Sequence, residues 1–376
     1  MTTFGWRMHK RLVFVSWVLL LIGCGEAREE PTPPAEPSAS SAPSAAPPCA
    51  ADEHLTAWCG YKNAEDLAVT PDRRFLLATG FGTLPDSYLN EMMLFELAPR
   101  RRVNVNITLA DNTWGDPGCS RVNTDLSPHG LDLVQRADGR HQVAITNHLP
   151  RETIEFFELA PDGKGWQLIW RGCVNAPADE SFGAMFNDVA LTIDGGFYAT
   201  QMFDAQMPFE DLITAGENQE ITGAVWRWDR DGGFSKLPGT EGSFPNGIAL
   251  SPAENVLFVN HWFTGRTIRF NLETGQIEAE HLGGMADNLT LVGDDLWAAK
   301  HDMTLDDFFS ACPADKVDCF LPFTIYRLSA ADLTVLDEWS FDSTAFGFAT
   351  VAIPADGRVW LGTAHGERIA SFAPDA

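Results

Sequence analysis

Asn246-Gly247-Ile248-Ala249-Leu250-Ser251-Pro252-Ala253-Glu254-Asn255-Val256-Leu257-Phe258-Val259 reads as a polar pair, a short apolar run, a polar turn and a second apolar run. Two short apolar runs joined by a turn signal a β-hairpin. The same pattern begins at five other places: Glu65-Asp66-Leu67-Ala68-Val69, His129-Gly130-Leu131-Asp132-Leu133, Asn187-Asp188-Val189-Ala190-Leu191, Asp287-Asn288-Leu289-Thr290-Leu291 and Thr350-Val351-Ala352-Ile353. Further strands such as Ala224-Val225-Trp226-Arg227-Trp228 and Thr267-Ile268-Arg269-Phe270 fill the intervals between these heads. Repeats of this length, with three or four strands each, predict an all-β fold, a six-bladed β-propeller. The last repeat has room for three strands before Ala376, so a strand near Leu55 to Tyr61 is expected to complete it and close the ring. Closure removes exposed sheet edges.

In a radial array the first strand of every blade lines the axis, so the residues heading those strands converge on one mouth of the central channel. Glu65, Asn187, Asn246, Asp287 and Asn288 then offer carboxylates and amide carbonyls with no thiolate, a hard-oxygen donor set that suits calcium. A central calcium site is expected there. Asp66 and Asp188 directly follow ligands and fall at the neighbouring depth, where two carboxylates at one site repel unless a cation bridges them; a second, buried calcium is expected between them. Taken singly, Asn-Gly and Asp-Asn are turn residues, but recurrence at equivalent repeat positions favours ligands. Second strands run back to the same face and bring His148, His261, His301 and His365 towards it. His129 and His148 belong to one blade and should be neighbours, one imidazole taking a proton from water and the other relaying it beside a carbonyl-polarising cation. The plainer role for both is to cap strands. The chain has no Gly-x-Ser-x-Gly elbow and no cysteine in a recognisable catalytic setting, which disfavours covalent catalysis.

The chain has 376 residues, 45% of them hydrophobic, enough for a large buried core. Its 26 basic residues stand against 52 acidic ones, a formal charge of −26 that repels phosphate backbones and excludes nucleic acid as a partner. Arg7, Lys10 and Arg11 precede an apolar run from Leu12 to Ile22, the pattern of a secretory signal too short for a stable membrane span. That run ends in Leu21-Ile22-Gly23-Cys24, which resembles a bacterial lipobox. Residues 1–23 are therefore expected to be a lipoprotein signal peptide and Cys24 the lipidated N-terminus. Residues 24–48, rich in Pro, Ala, Ser and Glu, should be an extended tether, and residues 49–376 the propeller. The expected location is the bacterial cell envelope, with the membrane as a partner through the lipid anchor. Gly25 in place of an inner-membrane retention Asp favours the outer membrane. Six cysteines follow Cys24, an even number that favours disulfides in an exported chain. Fifteen pairings are possible; spacing favours Cys312 with Cys319 and Cys49 with Cys59, leaving Cys119 and Cys173.

Taken in order, Ala64-Glu65-Asp66-Leu67, Pro128-His129-Gly130-Leu131, Asn147-His148, Asn187-Asp188-Val189-Ala190, Phe197-Tyr198-Ala199-Thr200, Phe244-Pro245-Asn246-Gly247-Ile248, Asp287-Asn288, Asp295-Leu296-Trp297 and Leu361-Gly362-Thr363 resemble the paraoxonase/arylesterase family. These are calcium-dependent six-bladed propellers related to the senescence marker protein/gluconolactonase and strictosidine synthase-like proteins. The resemblance implies a catalytic calcium on Glu65, Asn187, Asn246, Asp287 and Asn288, and a structural calcium on Asp66, Asp188 and the carbonyl of Leu131. It implies His129 as general base assisted by His148, with His301 and Phe244 lining the substrate pocket. Two departures stand out. Gln201-Met202 replaces the family's Asn-Asp, and the last blade lacks the cysteine that ties the family's N-terminal segment to it. The stretches 202–222 and 301–322 follow second strands and should overhang the calcium face. The expectation is a calcium-dependent hydrolase of carboxylic esters or lactones, acting on a small molecule. The alternative is a non-catalytic, calcium-stabilised propeller that binds a protein or sugar.

Overall fold

The computed structural model describes residues 48–82, 88–163, 165–313 and 316–374. The expected signal peptide, most of the tether and Cys24 lie outside the described residues. From Pro48 onward the chain folds into six sheets whose first strands are Ala64–Val69, Pro128–Gln135, Ala184–Leu191, Pro245–Leu250, Ala286–Val292 and Ala349–Ala355; the pairing is antiparallel except at the edge of the second sheet, where Asn106–Leu109 lies parallel to Trp166–Asn175. These six strands neighbour one another in a closed cycle, the last against the first, so they line the axis of a six-bladed propeller.

The strands are apolar on both faces because each blade is sandwiched between two others. One core joins blades one and two through Phe75, Leu94, Ile145 and Phe157. Another joins blades two and three through Phe156, Phe197 and Trp228, and a third joins the sixth blade to the first through Trp58, Phe95 and Trp360. Burying a side chain of this size stabilises by about 1.5–3 kcal/mol. That pattern explains why hydropathy alternates so weakly along the second strands, whose Phe75–Gly80 and Val256–His261 are buried throughout.

The N-terminal segment closes the ring as expected. Thr56–Cys59 pairs antiparallel with Arg368–Phe372 of the sixth blade, from Thr56 opposite Ser371 to Cys59 opposite Arg368, and Ala50–Ala51 adds outside it. Closure is by hydrogen bonds, and the disulfides staple elsewhere: Cys49 to Cys59 within this closing hairpin, Cys119 to Cys173, and Cys312 to Cys319.

Two features of the fold were not foreseen. The first is a register shift at the head of every first strand, between Ala64 and Asp66, Pro128 and Leu131, Phe186 and Val189, Pro245 and Ile248, Ala286 and Leu289, and Ala349 and Val351. A bulge releases residues from the ladder and re-aims their side chains. The released residues are Glu65, His129-Gly130, Asn187-Asp188, Asn246-Gly247, Asp287-Asn288 and Thr350, which form the ring read from the sequence. The second feature is a pair of helices in the overhanging stretches, α1 (Phe209–Glu217) and α2 (Leu305–Ala311), the latter started by a capping box between Thr304 and Asp307.

Candidate active site and metal centre

The glycines of Pro128-His129-Gly130 and Asn246-Gly247 serve packing. Neither has a positive φ. A Cβ on Gly130 would lie 2.5 Å from Asp188 Oδ1 and 2.6 Å from Asp188 Cα, and one on Gly247 would lie 2.4 Å from the Asp287 carbonyl oxygen. Each glycine therefore lets one inner strand press against the next, which brings the ring residues of neighbouring blades within reach of each other. Phe244 and Phe348, just before the heads of blades four and six, adopt left-handed backbone at φ 55° and 52°. Such backbone is unfavourable for a bulky residue and concentrates at functional sites. Both rings are turned into the cavity above the ring.

Glu65, Asp66, His129, Asn187, Asp188, Asn246, Asp287, Asn288, His148 and His301 are all buried. The amide groups share one arrangement. Asn288 Nδ2 donates to Glu65 Oε1 at 2.6 Å; Asn187 Nδ2 contacts Met202 Sδ and His129 Nε2, each at 3.4 Å; the Asn246 side chain hydrogen-bonds Asp287. With the amide N–H groups turned to neighbours, the carbonyl oxygens of Asn187, Asn246 and Asn288, together with Glu65 Oε2, are buried without any partner. Orphaned buried oxygens are costly and rare. Four of them on the residues expected to hold a metal fit a hard cation. Among the described residues no three His, Cys, Asp or Glu side chains gather as a metal site, because most of this donor set is amide oxygen.

The level below behaves differently. Asp66 accepts N–H bonds from Leu67 (2.7 Å) and Leu131 (2.8 Å), and Asp188 from Val189 (2.7 Å) and Ile248 (3.0 Å). Each aspartate thus ties its own strand to the inner strand of the next blade. Asp132, which the sequence reading passed over, does the same with Leu133 and Leu191. The Leu131 backbone meets Asp66 through its N–H. No oxygen of these aspartates is orphaned, so the sign that marks the upper level is missing at the lower one. Burial nevertheless pushes these carboxyls up, Asp132 to about 6 and Asp66 to about 7. Asp287 rises to about 8 by burial, opposed by the Asn246 bond and reinforced by the Asp66 charge. Glu65 and Asp188 are raised well above the usual range, by burial first and then by neighbouring carboxylates.

His129 Nδ1 lies 2.9 Å from His148 Nε2, and His129 is stacked on Phe81 at 4.1 Å. Burial, then the adjacent His148, holds His129 well below its ordinary pKa and keeps it neutral. The turn carrying His148 is fixed by Asn147, whose Nδ2 donates to the Leu149 carbonyl and to Thr153 Oγ1. His301 accepts from Trp262 Nε1 at 3.2 Å, stacks on Phe348 and places Nε2 3.5 Å from Asp287 Oδ2. His365 lies at the rim. His261 departs from the expectation: it is buried against Gly242, away from the cavity.

Glu65, His129, Asn187, Asn246, Asp287 and His301 floor a cavity of about 170 Å³, and Phe244 lines its wall. Helices α1 and α2 roof it with Phe209, Leu212, Phe308 and Phe309. Residues 136–287, less than half of the chain, match the family described as SMP-30/Gluconolactonase/LRE-like region. This stretch is similar to that family. It carries His148, Asn187, Asn246 and Asp287 and runs from the second strand of blade two to the head of blade five. The adipocyte plasma membrane-associated protein Hemomucin of Drosophila melanogaster is 30% identical over 129 residues, 33% of this chain and 21% of that protein. The chain thus matches about a fifth of that relative's length. A luciferin-regenerating enzyme shares the fold at a TM-score of 0.50 and 12% identity, over 84% of this chain and 92% of its own. A gluconolactonase from Xanthomonas campestris aligns over 90% of this chain and 98% of its own at 13% identity and a TM-score of 0.49.

Proposed function

We propose that the protein is a calcium-dependent hydrolase of lactones and carboxylic esters. One observation carries this reading: four buried, unpartnered oxygens on Glu65, Asn187, Asn246 and Asn288 stand beside the hydrogen-bonded pair His129 and His148 at one cavity. Glu65, Asn187, Asn246, Asp287 and Asn288 would hold the ion, which when bound polarises a substrate carbonyl. His129 Nε2 faces that ring, 3.8 Å from Glu65 Oε1, and takes a proton from the attacking water. His148 backs His129 through Nδ1. The family of residues 136–287 supports hydrolysis of a lactone. The aromatic roof from α1 and α2 expels water and favours substrates with an apolar aryl or alkyl group over polyhydroxylated ones.

The test is a panel of aryl esters and of alkyl- and hydroxyl-substituted lactones, with calcium and with chelator. Turnover confined to calcium-loaded protein and to apolar substrates is expected. No turnover on any of them by calcium-loaded protein would return the non-catalytic propeller. We also propose that the domain is lipid-anchored in the bacterial envelope through Cys24, in the outer membrane where there is one. Wild-type protein should partition with membranes and Cys24→Ser should move to the soluble fraction; a variant that still sediments with membranes refutes the anchor.

A further inference from the structure

Glu152 was passed over in the sequence, and its contacts are specific. Its Oε2 lies 2.8 Å from His148 Nδ1, while its Oε1 accepts the Phe186 N–H at 2.8 Å from blade three. The side chain of His148 is 1% exposed and that of Glu152 16%. The three groups therefore lead from the cavity floor to the edge of solvent: His129, His148, Glu152.

Hydrogen-bond logic fixes the protons along this line. With the Glu152 oxygen as the acceptor of this bond, His148 donates Nδ1–H to Glu152 and offers Nε2 as an acceptor. His129 must then donate Nδ1–H to His148, which leaves the lone pair on Nε2, the nitrogen facing the ring. Proton accounting gives the line a task. When a lactone opens, the water O–H bond breaks, its proton goes to His129 Nε2 and the oxygen bonds to the carbonyl carbon. The ring C–O bond then breaks and that proton passes to the departing alkoxide. The product is a carboxylic acid, ionised at neutral pH, so each turnover leaves one proton in a cavity roofed by aromatic side chains.

Resting on the hydrolase reading, we propose that Glu152 is the positioning residue of the histidine pair and the outer end of its proton route to solvent. Glu152 sets both imidazole tautomers, and the surplus proton leaves through His129, His148 and Glu152 in turn. Glu152→Gln keeps an oxygen for the Phe186 N–H, so the blade contact survives. It is expected to lower kcat by about tenfold or more, the scale of lost acid–base assistance, with KM unchanged. Added imidazole buffer should restore the rate, and Glu152→Asp should regain part of it. Unchanged kcat, or a loss that buffer does not restore, overturns the proposal. Nitrogen-15 NMR of the protein without substrate separates this from failure of the hydrolase reading. Wild type should show a downfield His148 Nδ1–H and an unprotonated His129 Nε2, and Glu152→Gln should lose the downfield proton. Its absence from wild type, or its persistence in the variant, refutes the role of Glu152 even if no lactone is ever turned over.

Discussion

His129→Gln is expected to lower kcat by about 10²–10⁴-fold on every lactone and ester that the wild-type protein hydrolyses, the usual contribution of a general base, while leaving calcium affinity intact. The imidazole is stacked on Phe81 and bonded to His148 Nε2, and it owns none of the orphaned oxygens. Glutamine is neutral, like the buried imidazole it replaces, so no uncompensated charge enters the ring. Its amide can still donate to His148 but cannot take a proton from water. The contrasting variant is Asn246→Ala, which removes an oxygen from the ring and should weaken calcium binding and activity together. Calorimetric calcium titration beside steady-state kinetics reads both variants. Full activity of His129→Gln on the whole panel would remove the base from the scheme.

The fold was legible because propeller blades repeat. A lone Asn246-Gly247 is a turn signal, but a polar residue or pair at the head of each of six hairpins can be placed on a ring from the repeat alone. The missing strand of the last repeat pointed to Thr56–Cys59 for the same reason. What stayed hidden has no period. The bulges that aim Glu65 and Asn288 inward leave no residue signature, and Gly247 resembled a turn former when its task, like that of Gly130 beside Asp188, is to let the next inner strand approach. Glu152 sits in an irregular turn four residues after His148, where nothing in the sequence marks it as facing the imidazole. His261 occupies the same strand end as His301 but packs on Gly242, since a shared repeat position fixes a side chain's face and leaves its rotamer to local packing.

Removing calcium should lower Tm, and by more at pH 8 than at pH 5. In the metal-free fold burial raises Asp66 to about 7 and Asp287 to about 8, and raises Glu65 and Asp188 as well. In the unfolded chain the same groups titrate near 4. Above those unfolded values the folded state holds more protons than the unfolded one, so stability falls as pH rises through the folded values of Asp66 and Asp287. At pH 5 the buried carboxyls are largely neutral and the metal-free protein is close to its best. Towards pH 8 Asp66 and Asp287 ionise beside the other buried carboxyls, and a bound cation offsets that repulsion. Calcium at about 100 times its Kd adds about 2.7 kcal/mol, which for a domain of this size is a rise of roughly 4 °C. Differential scanning calorimetry with calcium and with chelator across this pH range measures both slopes. Identical Tm values with calcium and with chelator at pH 8 would show that the four orphaned oxygens do not take calcium. Because the expected dependence runs opposite to ordinary acid denaturation, surface carboxylates, whose ion pairs weaken as pH falls, cannot imitate it.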